Sequence, residues 1–372
     1  MPSSARTGPV RLTVRAASAQ YPVDIAPGNS DRVSDLLDDC GLPRRRFVVS
    51  SAGVWRLHGH RLHTVTLEEP ILLPDGERFK HLGTVGRIYD GLIRAQADRG
   101  SAIVAIGGGV VGDVAGFAAA TFLRGLPLVH VPTTLLAQVD SAIGGKVGVN
   151  HPMGKNLIGA FHQPAAVIID PELLGTLPRR EFRGGLYEVV KYGVIASRPL
   201  FDLVSAQLKL LFARDSPVLM GVIAESCAIK ASVIEQDERE LGPRRILNFG
   251  HTAGHALEAV TKFRRFRHGE AVACGMLAAA EVGVARGLMP PADRDALAAL
   301  ITTMGPLPPV ADLEASQVVE AMGRDKKIVA GTLHFVLPGP IGSTHMATDV
   351  TSVELQRALV RIGLRPERSR TE

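Results

Sequence analysis

Short apolar runs in the first half of the chain alternate with longer segments of helical periodicity. The runs consist mainly of β-branched and other apolar residues, are bounded by glycine, proline or charge, and lie at 47–50, 103–106, 128–131 and 167–169. Such runs are typical of buried parallel strands. Segments with the periodicity of helices lie between them at 81–99 and 112–123. Strand, helix and strand at this spacing predict a doubly wound α/β domain.

After about residue 178 the pattern changes to helices that follow one another directly. Apolar residues recur at helical spacing in six segments, at 182–195, 200–212, 218–236, 251–262, 271–286 and 292–304. We also expect a late strand at 332–337, a last helix at 353–362 and a disordered tail after about residue 365. The pattern therefore predicts an α/β domain at 1–178 and a mainly α-helical domain at 179–372.

Composition narrows the class of protein. Hydrophobic residues make up 46% of the chain and charged residues 21%, as in ordinary globular proteins, which excludes wholesale disorder. The three cysteines are too far apart for a paired metal motif or a disulfide scaffold and favour a reducing, cytoplasmic setting. The N-terminus lacks the apolar stretch of a signal peptide, and no run reaches the roughly 18 apolar residues of a membrane span. We therefore expect a cytoplasmic protein that has no membrane partner.

The net charge of +5 comes largely from local arginine runs at 44–46, at 264–267 and in the C-terminal tail. Such runs occur in nucleic-acid-binding proteins and also on ordinary solvated surfaces. Here no stripe of interleaved aromatic residues and no nucleic-acid-binding motif accompanies them. We therefore expect no nucleic-acid partner.

A glycine-rich turn connects one of the predicted strands to a helix. The sequence GGGVVG occupies 107–112, directly after the strand at 103–106. The G-x-G-x-x-G spacing in this context is typical of a loop that holds a dinucleotide pyrophosphate at a helix N-terminus. Glycine-rich turns also occur for packing alone, and the acidic residue expected about 20 positions further on is missing, since 129–134 reads VHVPTT. The pattern indicates a nucleotide-binding loop but not an ordinary Rossmann dehydrogenase.

A dense series of polar residues follows this loop: Arg124, Thr133, Thr134, Asp140, Lys146, Asn150, Lys155 and Asn156. Lys146 and Lys155 each stand beside a glycine, where a lysine can reach a phosphate as a point charge. Two solvated loop lysines are the alternative, and the residues alone leave both interpretations open.

The helical half carries a second set of candidate groups, Glu188, Lys191, Asn248, His251, His255 and His268. Residues three and four apart share one helix face, so the asparagine and the first two histidines form a stripe. A carboxylate and two imidazoles suit Zn²⁺ with open positions for a substrate. Histidine pairs at this spacing are more often surface pairs, although a solvated stripe usually carries lysine and glutamate instead. A metal site and a surface pair therefore both remain open.

Long motifs in these regions resemble those of 3-dehydroquinate synthase, a family of the sugar phosphate cyclase superfamily. In the first half they are GGGVVGDVAGFAAATFLRG at 107–125, PTTLLAQVDSAIGGKVGVN at 132–150 and GKNLIGAFHQP at 154–164. In the second half they are TLPRREFRGGLYEVVKYG at 176–193, DERELGPRRILNFGHTAGHALE at 237–258, HGEAVACGM at 268–276 and RDKK at 324–327. The motifs follow the family's order and span roughly residues 75–340.

The resemblance implies an N-terminal NAD-binding α/β domain followed by an α-helical metal- and substrate-binding domain, with the active site between them. It implies that NAD⁺ and Zn²⁺, with Co²⁺ as a substitute, are used to convert 3-deoxy-D-arabino-heptulosonate 7-phosphate into 3-dehydroquinate and phosphate. The steps implied are transient oxidation, phosphate elimination, reduction, ring opening and an intramolecular aldol closure, in the shikimate pathway to aromatic amino acids. A homodimer is implied as well.

Carried over motif by motif, the resemblance assigns a role to each matching residue. The implied metal ligands are Glu188, His251 and His268. The implied nucleotide contacts are Glu77, Lys80, Gly109, Asp113, Thr133, Thr134, Lys146, Lys155, Thr176, Leu177 and Glu181. The implied catalytic and substrate contacts are Asp140, Lys146, Asn156, Lys191, Lys230, Arg244, Asn248, His255 and one lysine of the RDKK motif, Lys326 or Lys327, together with Arg124, which reaches the neighbouring subunit's site.

Two departures from the family pattern occur. Ser50-Ser51-Ala52-Gly53 stands where many members have an acidic residue that holds the adenosine ribose, and Pro243 stands where a small apolar residue is common. The first departure affects the ribose contacts and leaves the pyrophosphate loop intact. The second fixes the local backbone without removing a catalytic group.

Three alternative functions remain to be weighed. A sibling cyclase of secondary metabolism is the nearest, but the intact Lys230, Asn248 and DKK set favours the carboxylate-bearing substrate. A metal-dependent polyol dehydrogenase shares the fold and has no need for so many phosphate-directed cations. A catalytically silent nucleotide-binding protein is expected to have lost a zinc ligand or Lys146, and none is lost here.

Overall fold

The computed structural model describes residues 8–323, 328–329 and 332–367, which divide into two units. The first unit contains the chain up to Phe182 and, in addition, Leu210–Glu240. The second contains Arg183–Lys209 and the chain from Leu241 onward. The predicted boundary at 178 lies near the first crossing between the units. Residues 210–240 belong to the first unit, whereas the prediction places them in the second domain.

A seven-stranded sheet forms the centre of the first unit. The strands of this unit are β1 Val10–Arg15, β2 Gln20–Ile25, β3 Arg45–Ser51, β4 Ile71–Leu73, β5 Ser101–Gly107, β6 Leu128–Pro132, β7 Lys146–His151, β8 Gly154–Phe161 and β9 Ala166–Ile169. The sheet order is β1-β2-β9-β6-β5-β3-β4, with only β1 antiparallel to its neighbour. The four predicted strands are β3, β5, β6 and β9, which are adjacent in the middle of the sheet.

Helices cover both faces of this sheet, as expected for a doubly wound fold. They are α1 Val33–Asp39, α2 Ala52–Leu62, α3 Leu82–Arg94 and α4 Gly109–Thr121. One apolar core joins the sheet to α3 and α4, through residues such as Ile88 and Val114. A second core joins the other face to α1 and α2, through residues such as Leu37 and Leu62. The predicted fold class is confirmed in this unit.

Three further helices follow, α5 Arg179–Ala196, α6 Arg198–Phe212 and α7 Ser216–Gln236. The last of them belongs to the first unit because it packs against β1 and the π-helix Ala137–Ser141. Asp215 caps the N-terminus of this helix, and its side chain accepts a hydrogen bond from the Val218 N–H at 3.3 Å. By length and composition α7 could cross a membrane, but 56% of its most apolar window is buried inside the protein. A core helix of a folded unit has this character.

The second unit is mainly helical. Its helices are α8 His251–Val260, α9 His268–Ala285, α10 Pro291–Met304, α11 Ala315–Met322 and α12 Ser352–Arg361, beside its parts of α5 and α6. Its short strands are β10 Ile328–Val329, β11 Thr332–Leu333, β12 Phe335–Pro338 and β13 Thr344–Ala347. Helix α11 is not predicted from the sequence, whereas the other helices agree with the predicted ones to within a few residues at each end.

One expectation for the C-terminal region needs correction. The single strand predicted at 332–337 is wrong, because β11 pairs with β10 whereas β12 pairs with β13. The chain is also still ordered at Arg365, whose backbone N–H donates to the Leu313 carbonyl and whose carbonyl accepts from Ala315. Most of the predicted disordered tail, 368–372, lies outside the described residues.

Candidate active site

The glycine-rich turn connects β5 to α4 and leaves the N-terminus of α4 accessible to an anion. The helix starts at Gly109, and Gly108, its N-cap, has no side chain to cap it. A Cβ on Gly108 would lie 2.9 Å from the Thr134 side chain, so only glycine fits this close approach. The neighbouring Thr133 N–H donates to the Gly107 carbonyl at 3.0 Å. A helix N-terminus backed by two threonines suits a dinucleotide pyrophosphate.

A buried lysine links the glycine-rich helix to the β7–β8 hairpin. The Lys80 ammonium donates to the Asp113 carboxylate and to Asn156 Oδ1, the latter at 2.6 Å. Burial opposes the charge, but the carboxylates of Asp113 and then Glu77 hold the pKa of Lys80 above its usual value. The structure thus brings three predicted nucleotide contacts, Lys80, Asp113 and Glu77, close to one predicted substrate contact.

The third predicted nucleotide segment, at 176–181, is held by two groups that the sequence analysis did not single out. His58 Nε2 lies 2.9 Å from Thr176 Oγ1. The Arg214 guanidinium donates to the carbonyl oxygens of Gly175 at 2.9 Å and Leu177 at 2.5 Å. Glu181 follows in the first turn of α5. Arg214 precedes α7, so the return segment of the first unit stabilises this part of the site.

The end of β3, where the family's acidic residue is missing, carries a carboxylate from elsewhere. Asp75 follows β4 and is exposed, and its Oδ2 accepts a hydrogen bond from the Gly53 N–H at 3.1 Å. Strands β3 and β4 are parallel neighbours, so their carboxyl ends lie at the same edge. An acidic group is therefore present at this strand end, although not at the position in the sequence where one is expected.

Two predicted substrate cations of the first unit are paired with carboxylates. Lys230, on α7, places Nζ 2.5 Å from Asp140 Oδ1 and 2.6 Å from the Asp140 carbonyl in the π-helix. Lys146, at the start of β7, forms an ion pair with Glu240. Glu240 has a left-handed backbone, with φ of 62°. Glu240 is not predicted from the sequence, where its only signal is its place in the DERELG motif.

Lys155, Arg124 and the lysine of the RDKK motif are the predicted residues not yet placed. Lys155 is half-buried on β8. Arg124 is exposed in the turn after α4, with φ of 70°. Because α4 has 13 residues, Arg124 lies about 20 Å from the glycine-rich turn at the other end of the helix. The lysine of the RDKK motif, Lys326 or Lys327, lies outside the described residues.

In the second unit, Glu188, His251 and His268 converge. Glu188 Oε1 lies 3.7 Å from Nε2 of His251 and 3.7 Å from Nε2 of His268. This buried oxygen has no hydrogen-bond partner among the described residues, and the three ligand atoms lie within 4.8 Å of one another. His251 Nδ1 lies 3.1 Å from the Phe249 carbonyl, and a proton held there makes Nε2 the nitrogen whose lone pair can bind a metal. This set fits a divalent metal ion such as Zn²⁺ or Co²⁺.

Close helix packing brings these three residues together. A Cβ on Gly269, in α9, would lie 2.1 Å from the Gly184 carbonyl oxygen of α5. A Cβ on Gly275 would lie 1.9 Å from the Gly250 carbonyl oxygen at the start of α8. Neither site admits a larger residue without moving a helix. The glycines therefore set the spacing at which α5, α8 and α9 present their ligands.

Further polar groups surround the metal-binding candidate. The His255 ring centroid lies 5.5 Å from that of His251 and 5.8 Å from that of His268. Glu258 is buried and places Oε2 3.6 Å from His268 Nδ1, and it forms a second candidate metal group with His255 and His268. Glu258 is not among the residues predicted from the sequence, although it lies three residues after His255 on the same helix face.

The remaining predicted contacts of the second unit lie on α5 and on the segment before α8. Lys191 is almost fully buried one helical turn after Glu188, with Nζ 2.5 Å from Glu188 Oε2. Arg244 is buried and Asn248 half-buried in the 3-10 helix Pro243–Asn248, which leads into α8. Pro243, which departs from the family pattern, is the first residue of this short helix. Its fixed φ suits that position.

A doubly wound unit with a glycine-rich anion site, followed by a helical unit with a histidine–carboxylate group, defines the dehydroquinate synthase-like fold. The family models for 3-dehydroquinate synthase N-terminal and C-terminal domains match residues 70–184 and 185–328. A 3-dehydroquinate synthase from Geobacter sp. (strain M21) is 46% identical over 342 residues, which cover 90% of this chain and 94% of that protein. The chain belongs to the 3-dehydroquinate synthase family, an enzyme family of phosphate-eliminating cyclases, and the resemblance found in the sequence is confirmed.

Solved structures agree with this assignment. The structure of 2-epi-5-epi-valiolone synthase from Streptomyces hygroscopicus subsp. jinggangensis 5008, with NAD⁺ and Zn²⁺ bound, has a TM-score of 0.85 at 27% identity and covers 92% of this chain and 97% of that one. The structure of 2-deoxy-scyllo-inosose synthase with carbaglucose-6-phosphate, NAD⁺ and Co²⁺ has a TM-score of 0.83 at 27% identity, with coverages of 94% and 99%. Both neighbours are cyclases with a nucleotide and a metal ion.

Proposed function

We propose that this enzyme converts 3-deoxy-D-arabino-heptulosonate 7-phosphate into 3-dehydroquinate and phosphate, a step of the shikimate pathway. The observation that supports this best is the 46% identity to a 3-dehydroquinate synthase across 90% of the chain. That span includes segments of both units. The two sibling cyclases are only 27% identical, so the carboxylate-bearing heptulosonate is the preferred substrate over the sugar phosphates of secondary metabolism.

NAD⁺ and one divalent metal ion, Zn²⁺ with Co²⁺ as a substitute, are the proposed cofactors. When bound, NAD⁺ accepts a hydride and returns it, and the metal ion polarises a substrate oxygen. The partnerless Glu188 oxygen beside two imidazole nitrogens supports the metal assignment to Glu188, His251 and His268. The uncapped N-terminus of α4 supports the nucleotide assignment.

Within this proposal, the nucleotide is held by groups of the first unit. The turn at Gly109 binds the pyrophosphate through backbone N–H groups, and Thr133 and Thr134 line it. Lys80, whose charge is maintained by Asp113, and Lys155 supply positive charge beside the nucleotide. Glu77 and the Thr176–Glu181 stretch supply the remaining contacts, including groups suited to ribose hydroxyls.

The substrate's two anions require cations, and the chain offers them in both units. Lys146 and Lys230 in the first unit and Lys191 and Arg244 in the second are the proposed contacts for the carboxylate and the phosphate. A guanidinium binds a carboxylate or phosphate through two parallel hydrogen bonds, whereas an ammonium acts as a point charge. Asp140 and Glu240 hold two of the lysines in place before the substrate arrives. Asn156, Asn248 and His255 orient the hydroxyl groups.

Orientation is the main contribution that we assign to these residues. The substrate passes through several steps without leaving, and fixed contacts at both anions limit the conformations it samples between steps. The phosphate's own oxygens serve as the base for its elimination. A polyol dehydrogenase needs no such set of cations, which makes that alternative less favoured.

We further propose a cytoplasmic homodimer in which Arg124 contacts the substrate bound in the neighbouring subunit. The position of Arg124, about 20 Å from the glycine-rich turn of its own chain, supports a role away from its own site. Its exposure and left-handed backbone present the guanidinium outward from the end of α4.

The test is incubation of the purified protein with the heptulosonate phosphate and a small amount of NAD⁺. Phosphate release should continue far beyond the amount of NAD⁺ supplied, net NADH should stay near zero, and the product should be 3-dehydroquinate. Accumulation of NADH in step with turnover would instead indicate a dehydrogenase. Equal turnover of a sugar phosphate without a carboxylate would indicate a sibling cyclase.

A further inference from the structure

Asn150 stands where two segments with separate assigned roles meet. Its Nδ2 donates to Glu77 Oε1 at 2.8 Å, and its Oδ1 accepts from the Asn156 N–H at 2.9 Å. Its own backbone N–H donates to the Lys80 carbonyl at 2.8 Å. One residue therefore joins the segment 77–80, assigned to the nucleotide, to Asn156, assigned to the substrate.

Asn156 depends on such support because its backbone lies in the left-handed region, with φ of 52°. Asparagine tolerates this conformation better than most residues, but it is not the default for an L-residue. Lys80 adds a second restraint by donating to Asn156 Oδ1 at 2.6 Å. Asn150 thus holds the backbone of Asn156, and Lys80 holds its side chain. Both contacts lead back to the segment 77–80, which is assigned to the nucleotide.

We propose that Asn150 is a positioning residue that couples nucleotide binding to the orientation of Asn156 toward the substrate. The inference rests on the proposed function, which supplies the roles of Glu77 and Asn156. An amide is suited to this position because it offers a donor to a carboxylate and an acceptor to a peptide N–H at the same time. Neither metal ligation nor the glycine-rich turn involves Asn150, so its role is separate from theirs.

Two substitutions separate the two halves of the coupling. Asn150→Ala removes both side-chain hydrogen bonds and leaves the backbone bond to Lys80. Asn150→Asp keeps the acceptor for Asn156 but places a second carboxylate against Glu77 in place of the donor. The combination of Asn150→Asp with Glu77→Gln restores a donor–acceptor pair with its polarity reversed.

The experiment measures the Kd of NAD⁺ by calorimetry and the KM of the heptulosonate phosphate at saturating NAD⁺, in the full-length, metal-loaded enzyme. Asn150→Ala should raise both constants about five- to tenfold, the effect of losing a hydrogen bond at each. Asn150→Asp should raise the Kd of NAD⁺ and leave the KM nearly unchanged. In a double-mutant cycle, the combined variant should bind NAD⁺ more tightly than the sum of the two single changes in binding free energy predicts.

Asn29→Ala is the matched control. Asn29 is a buried asparagine whose Nδ2 donates to the carbonyls of Asp24 and Ile169, so its loss should lower the melting temperature without changing either constant. If Asn150→Asp shifts both constants equally or neither, or if the cycle shows no coupling, the inference is wrong. If the unmodified enzyme releases no phosphate, the proposed function fails, and the NAD⁺ calorimetry on the same variants still decides whether Asn150 and Glu77 are coupled.

Discussion

Lys191 Nζ lies 2.5 Å from Glu188 Oε2, with both side chains at most 1% exposed, while the other oxygen of Glu188 faces two histidines. The carboxylate thus has one fixed positive neighbour and one side open to a metal ion. Two buried charges that compensate each other leave a large penalty when one is removed.

The first prediction concerns this pair. Lys191→Met should destabilise the metal-free protein by about 3–5 kcal/mol, because the Glu188 charge loses its buried countercharge. The metal-loaded protein should lose less, since the ion then supplies positive charge. Denaturant unfolding with and without a chelator measures the difference. Lys209→Met, at an exposed lysine of α6, is the control and should change neither curve. Equal losses with and without metal would contradict the prediction.

The second prediction separates the two candidate metal groups. His268 belongs to both groups, whereas His251 belongs only to the group with Glu188 and His255 only to the group with Glu258. If Glu188, His251 and His268 hold the metal, His251→Ala should lose stoichiometric metal and His255→Ala should retain it. Metal content after dialysis, measured by plasma mass spectrometry, gives the answer. Retention in His251→Ala together with loss in His255→Ala would assign the metal to the other group.

The third prediction follows from helix packing. A Cβ at position 275 would overlap the Gly250 carbonyl oxygen, so Gly275→Ala should push α9 away from the start of α8. We expect an overpacking cost of about 1–3 kcal/mol and weaker metal binding, because His251 directly follows Gly250. Gly287→Ala is a useful comparison, since it has open space but a φ of 69°. It should lower stability through backbone strain and leave the metal affinity unchanged.

The fourth prediction concerns pH. His130, in β6, is buried, and burial, with a smaller effect of His162, lowers its pKa to about 4. The unfolded chain binds a proton at this residue below about pH 6.5, but the folded protein does not until about pH 4. Stability should therefore be complete above pH 6.5 and fall as the pH drops toward 4, by roughly 3 kcal/mol from this residue.

Denaturant midpoints at pH 7.5 and pH 5 test this pH dependence. His130→Gln should reduce the loss of stability between the two values, because glutamine does not titrate. His63→Gln, at an exposed histidine of the same unit, should leave the loss unchanged. If all three proteins lose the same stability between pH 7.5 and pH 5, other groups cause the acid sensitivity.

The fifth prediction tests the shared site. Arg124→Ala and Lys146→Ala should each be nearly inactive alone. If Arg124 serves the partner subunit, a hybrid dimer has one intact site, so random exchange of equal amounts should restore about a quarter of the unmodified activity. An activity no higher than that of the separate variants, with exchange verified by tagged subunits, would place Arg124 in its own chain's site.

The sequence predicts the centre of the sheet and the metal-binding candidate better than the edges of the fold. The residues of β5 are all buried, so the strand reads as one apolar run. Strand β1 has an alternating pattern in only six residues, and β8 reads as a loop because Gly154, Lys155 and Asn156 begin it. Strands with one exposed face or with loop-like composition lack the signal that burial on both faces gives.

The same limit applies to the site. Residue type and spacing single out Glu188, His251 and His268 only as candidates, and the family resemblance then implies that they are the metal ligands. Glu240 is not predicted, and Asn150 stands out only as a member of a polar series without a role, because their importance lies in contacts with Lys146 and Glu77 from segments far away in the sequence. Local pattern also assigns α7 to the helical half, although its packing against β1 places it in the first unit.

This return of α7 has a consequence for how the chain is made. The first unit is discontinuous in sequence, so a ribosome must release residues up to Glu240 before that unit can close. By then residues 183–209 of the second unit have already left the ribosome. The Lys230–Asp140 contact can form only after α7 has followed them. A chain that ends at residue 182 would lack the helix that covers β1 and the π-helix, and its exposed apolar surface would favour aggregation. The first unit therefore cannot be obtained whole by a single cut in the gene.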